Sequence, residues 1–71
     1  MSQIEIFKTN VNNNSAAQKA VLHLSQDLPD YEFNFDLDDC DNVLRVMGSS
    51  INIERISRSM NQLGYECEVI F

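Results

Sequence analysis

Eight consecutive residues, Tyr31-Glu32-Phe33-Asn34-Phe35-Asp36-Leu37-Asp38, alternate without a break between large apolar and polar side chains. Successive side chains on an extended backbone point to opposite faces. The stretch is therefore committed to a strand with one face buried and one in water, since helical geometry would scatter the same apolar groups around the axis. A half-wet strand needs neighbours, and the flanking sequence supplies them. Residues 3–8 alternate again, with Ile4 and Ile6 expected on the buried face. After the turn chemistry of Asp38-Asp39-Cys40-Asp41-Asn42, Leu44 and Val46 mark the inward side of a third strand that ends at Gly48-Ser49-Ser50. Strands two and three thus read as a hairpin. Cys67, Val69 and Phe71 give the inward face of a last one.

Between these strands the apolar period changes from two to about 3.6. Ala17, Ala20, Val21, Leu24 and Leu28 predict a helix over 14–27, opened by the Asn-rich stretch 10–15 and stopped by Pro29. Ile51, Ile53, Ile56, Met60 and Leu63 predict a second, with Ser49, Ser50 or Asn52 as caps and Gly64 as its stop. The order βαββαβ is the ferredoxin-like, α+β arrangement: a four-stranded antiparallel sheet with two helices on one face, one domain over residues 1–71. The other face has no helix to cover it. With the strand phases above it carries Glu5, Phe7, Glu32, Asn34, Asp36, Val43, Arg45, Met47, Glu66, Glu68 and Ile70.

Charge narrows the classes of function. Eleven acidic residues against five basic ones leave a net charge of −6, and affinity for phosphate backbones comes from neutralising them with Lys and Arg, so neither nucleic acid nor an anionic membrane is expected as partner. Seven of the eleven carboxylates lie between Asp27 and Asp41, and no Lys or Arg lies between Ala20 and Leu44. That asymmetry reads as a solvated strand face and turn, with partner steering as its functional reading. Asp36, Asp38 and Asp41 superficially match the start of an EF-hand loop, but Cys40 takes the next ligand position and the glycine and distal glutamate are missing. No serine or cysteine stands near a base, and two glycines cannot write a nucleotide-binding loop, so the chain is not expected to be an enzyme. The start, Met1-Ser2-Gln3-Ile4-Glu5-Ile6, has no signal-peptide pattern, no apolar run spans a bilayer, and two cysteines are too few for a disulfide framework. A cytoplasmic protein with reduced thiols is the expectation.

The second half of the chain also carries a family resemblance. Ile53-x-x-Ile56-x-x-x-Met60-x-x-Leu63-Gly64-Tyr65-Glu66-Cys67-Glu68-Val69 resembles the ending of heavy-metal-associated domains, Ile-x-x-x-Ile-x-x-x-Gly-Tyr-x-Ala-x-Val, with Cys67 in the alanine position. Ala17, Ala20, Val21 and Leu24 stand at the offsets those domains use for buried helix positions, so the resemblance covers nearly the whole chain. The family, known from copper chaperones and metal-transporting ATPases, holds a soft cation with the loop Gly-Met-Thr-Cys-x-x-Cys. Here the matching stretch is Phe7-Lys8-Thr9-Asn10-Val11-Asn12-Asn13. Threonine is kept, and both cysteines are replaced by Asn10 and Asn13, whose amide oxygens are hard ligands with little affinity for a soft d10 ion. The resemblance therefore implies the fold together with a degenerate metal motif.

Two readings of function follow. In the first the chain is a metal-free interaction module that uses the open sheet face to bind a partner protein or a second copy. Phe7, Val43, Met47 and Ile70 would form the apolar centre, with Glu32, Asp36, Arg45 and Glu68 as rim and Asp38 in the acidic turn. The alternative is divergent metal handling, with copper(I) or zinc held by Cys40, Cys67, His23 or methionines. Against it, Cys67 reads as core packing, His23 as a solvated helix residue, and Met60 as part of the buried stripe. The Asn-rich loop beside Lys8 could also present a helix N-terminus to an anion, although capping accounts for the same residues.

Overall fold

A computed structural model describes residues 2–38 and 42–70 of the chain. The elements run β1 (Gln3–Thr9), α1 (Asn14–Asp27), β2 (Glu32–Asp36), β3 (Val43–Gly48), α2 (Ile53–Gln62) and β4 (Cys67–Val69). The strands form one antiparallel sheet in the order β2-β3-β1-β4, the ferredoxin-like α+β arrangement. The first helix has the bounds that the apolar period predicts, and the second begins two residues later than Ile51.

Each helix starts on an asparagine. Asn13 Oδ1 accepts from the Ala16 N–H (2.8 Å) and Asn52 Oδ1 from the Arg55 N–H (3.2 Å), satisfying amides that have no partner within the helix. The second helix closes at Gly64, whose φ of +89° lets the Tyr65 N–H turn back to the Met60 carbonyl (3.1 Å). The core lies between the helices and the inner sheet face and centres on Phe7, Leu24, Leu44, Val46, Ile56 and Met60, all fully buried. Ile53, read as part of the second helix's buried stripe, is instead exposed at its first turn.

The first strand is turned over relative to the sequence reading. Phe7 pairs with Leu44 and Val69 and is fully buried, whereas Ile4 is 54% exposed. This strand has apolar residues on both faces, so alternation alone cannot choose between them. The partners decide it: Phe7 falls in register with Leu44 and Val69 on the inner face, and the same phase turns Thr9 inward. There the Thr9 hydroxyl donates to the Asn42 carbonyl (2.6 Å) and accepts from the buried Val11 N–H (3.2 Å). Phe7 is thus a core residue and not the centre of an exposed contact.

One end of the sheet is fixed by Tyr31. Its hydroxyl donates to the Ser50 carbonyl (2.6 Å) and accepts from the Asn52 N–H (2.9 Å), tying the start of β2 to the entry of α2. Its ring lies so close to Gly48 that a Cβ there would stand 2.6 Å from Tyr31 Cδ1.

Candidate functional site

The loop where a heavy-metal-associated domain would hold its ion is built from the end of β1 and the start of α1. Here its polar atoms are spent on the fold. Asn10 Oδ1 accepts from the Glu66 N–H (2.9 Å), clipping the loop to the segment before β4. Asn13 Oδ1 caps α1, Asn13 Nδ2 donates to Asn12 Oδ1 (3.2 Å), and Val11 is buried in the core. With both amide oxygens already accepting backbone protons, the arrangement holds backbone more readily than a cation.

Among the described residues, the side chains expected to restore a soft site do not gather. Cys67 sits opposite Thr9 in the β1–β4 register, next to the loop but on the inner face of the sheet. Its thiol is free, and burial pushes its pKa up from the usual 9.0 to about 11, with a hydrogen bond from Ser57 as the smaller, opposing influence. A thiol in that state is a poor nucleophile and a poor ligand. His23 is on α1, partly buried where solvent was expected, with its Nε2 shut away from water and unpartnered among the described residues. Met60 is core, Met47 lies in β3, and Cys40, Asp41, Met1 and Phe71 fall outside the described residues. Among the described residues, no three His, Cys, Asp or Glu side chains gather as a metal-holding group.

Alkylation checks the state of Cys67. In the folded protein, modification at Cys67 should follow a pH profile with its midpoint near 11, against about 9 in the denatured chain. The folded state holds the proton more tightly, so the contribution to stability is complete below pH 9 and is lost as pH rises from about 9 to about 11. Cys67→Ala should remove that part of the alkaline loss. Rapid modification of folded protein near pH 8 would contradict the buried, protonated state.

Because Phe7 faces inward, β1 contributes Ile4, Ile6 and Lys8 to the uncovered face. Across the sheet the register sets Glu32, Met47 and Ile4 in one row, Asn34, Arg45 and Ile6 in the next, and Asp36, Val43, Lys8 and Glu68 in the third. The Ile70 N–H donates to the Ile6 carbonyl (3.0 Å), which brings Ile70, 40% exposed, beside Ile6. Ile4, Ile6, Met47 and Ile70 therefore form an apolar centre within a border of Glu32, Arg45, Lys8 and Glu68. Val43, expected in that centre, is nearly inaccessible between Lys8 and Asp36. Sequence reading found Met47 and Ile70 and missed Ile4 and Ile6; the one available signal was that Phe7 competes with them for the core.

At the hairpin, Asp36 is committed in two directions. One carboxylate oxygen pairs with Arg45 (3.2 Å) across the sheet face, and the other accepts from the Asp38 N–H (3.3 Å). Both partners of the ion pair are substantially exposed, so it contributes little to stability. Beside this hairpin runs a groove of about 880 Å³ between α1 and β2, floored by Phe33, Phe35 and Leu37 and walled by Ala17, Val21 and Leu22. It is an open trough and offers no converging acid, base and nucleophile. No family model, characterised protein or solved structure matches this chain.

Proposed function

We propose that this chain is a non-enzymatic protein-interaction module, a heavy-metal-associated-type domain that has lost its soft-metal site and binds through the uncovered face of its sheet. The observation that carries the reading is the cluster of Ile4, Ile6, Met47 and Ile70 on that face, with Ile4 54% and Ile70 40% exposed inside a border of both charge signs. An apolar centre with a charged rim is the composition of a recognition surface, and isoleucine is seldom grouped this way on a face that meets only water. The occupied amides of Asn10 and Asn13 support the loss of metal binding. A cytoplasmic location belongs to the same reading.

The test pairs the wild type with Ile4→Asp/Ile70→Asp, two exposed positions at which the fold should survive. Light scattering over a concentration series from micromolar to millimolar, together with pull-down from the source cell's extract, should show self-association or a retained partner for the wild type and its loss in the variant. Equal behaviour of the two proteins in both assays would sink the proposal.

A further inference from the structure

The free edge of β2 carries a more specific consequence. The Ile70 N–H bonds to the Ile6 carbonyl, so the Ile6 backbone groups face β4 and those of Glu5 and Phe7 face β3. Carried across the register, this alternation turns Val43, Arg45 and Met47 toward β2, and Glu32, Asn34 and Asp36 toward β3. The backbone N–H and C=O of Phe33 and Phe35 then point outward from the sheet, and no described residue pairs with them. The Tyr31 N–H, which donates to the Leu28 carbonyl outside the sheet, follows the same alternation.

An extended chain laid along this edge would find four backbone partners at Phe33 and Phe35. Its side chains opposite those two would enter the groove under α1, at its apolar wall of Val21 and Leu22. Its intervening side chains would emerge on the outer face beside Glu32, Asn34 and Asp36. Asp30, Glu32, Asp36 and Asp38 surround the edge; among the described cations, Arg45 lines the groove but is tied to Asp36, and Arg55 lies beside Asp30 at the start of the strand. Cross-strand neighbours of opposite charge are favoured and like charges opposed, so a second copy of this acidic edge is a poor occupant.

Resting on the interaction-module reading, we propose that the outer edge of β2 is a strand-addition site for an extended protein segment in which apolar residues alternate with lysine or arginine. The probe is a synthetic peptide alternating valine and lysine, with a valine–glutamate peptide as control, titrated into the labelled full chain at low salt. Only the basic peptide should bind, and it should slow hydrogen exchange at the Phe33 and Phe35 amides. Glu32→Lys and Leu22→Glu, both at exposed positions, should each weaken it about fivefold, in keeping with about 1 kcal/mol for an exposed contact. N-methylation of the peptide at alternate residues in the pairing register should abolish binding. No binding at millimolar peptide, or equal binding of the glutamate control, overturns the strand-addition site and leaves the sheet-face reading to its own test. Shifts confined to Ile4, Ile6 and Ile70 also overturn it, while supporting the broader reading.

Discussion

Phe7→Ala should destabilise the protein by about 3–5 kcal/mol, the range for removing a fully buried aromatic ring, while Ile4→Ala should change stability by no more than about 0.5 kcal/mol. Urea unfolding of the two variants measures both. The contrast is large because Phe7 stands between Leu44 and Val69 in the middle of the core, while Ile4 is 54% exposed on the uncovered face. At about 0.05–0.15 kcal/mol per residue a domain of this length has a total stability of about 4–11 kcal/mol, so Phe7→Ala should leave a substantial unfolded population at moderate temperature. The reverse ranking, with Ile4 costly and Phe7 tolerant, would mean that β1 presents its other face to the helices, and the binding surface built on Ile4 and Ile6 would go with it.

Gly48→Ala should cost about 1–3 kcal/mol, the usual effect of forcing an extra methyl into a filled space. For a domain of this length that lowers Tm by about 4–8 °C per kcal/mol. The added Cβ would lie 2.6 Å from Tyr31 Cδ1, and a ring carbon close to the backbone cannot swing aside as a flexible chain end can. Moving the ring would also strain the two hydrogen bonds through which the Tyr31 hydroxyl holds Ser50 and Asn52. The cost should therefore nearly vanish in a Tyr31→Ala background, which a double-mutant cycle would reveal as strong coupling. Equal losses in both backgrounds would place the origin in Gly48's own backbone and remove the ring from the explanation.

Which features could be read from the chain depended on whether they are local. The bounds of α1, the stop at Gly64 and the strand at 32–36 are set by residues within one turn or one strand, and periodicity and turn chemistry find them, while the caps are narrowed only to the stretch 10–15 and to Ser49, Ser50 or Asn52. The phase of β1 is not local. With Ile4, Ile6 and Phe7 all apolar, the choice is made by Leu44 and Val69, which lie far along the chain and come alongside only in the folded sheet. The candidate surface inherited that uncertainty, which is why Met47 and Ile70 were legible and Ile4 and Ile6 were not. The groove beside β2 depends on sheet order, since the alternation of residues 31–38 looks the same for a central strand and for an edge. The state of the Asn-rich loop was partly legible: capping from within the stretch 10–15 followed from its position, whereas the bond from Asn10 to the Glu66 amide spans most of the chain.

That last bond bears on the order in which the protein comes together. Asn10 and Glu66 are 56 residues apart, and the strand that follows Glu66 is three residues long and, among the described residues, pairs with β1 alone. The entropy of closing so long a loop is recovered by few contacts, so β4 gains most once both helices and the hairpin are already in place. In kinetic terms β4 is a late-docking latch, and in the native state its release is among the least costly openings. Each such opening would uncover Cys67 and the Ile6 carbonyl together, so the slow residual modification of the thiol below pH 9, where the folded state keeps it protonated, counts how often the last strand lets go.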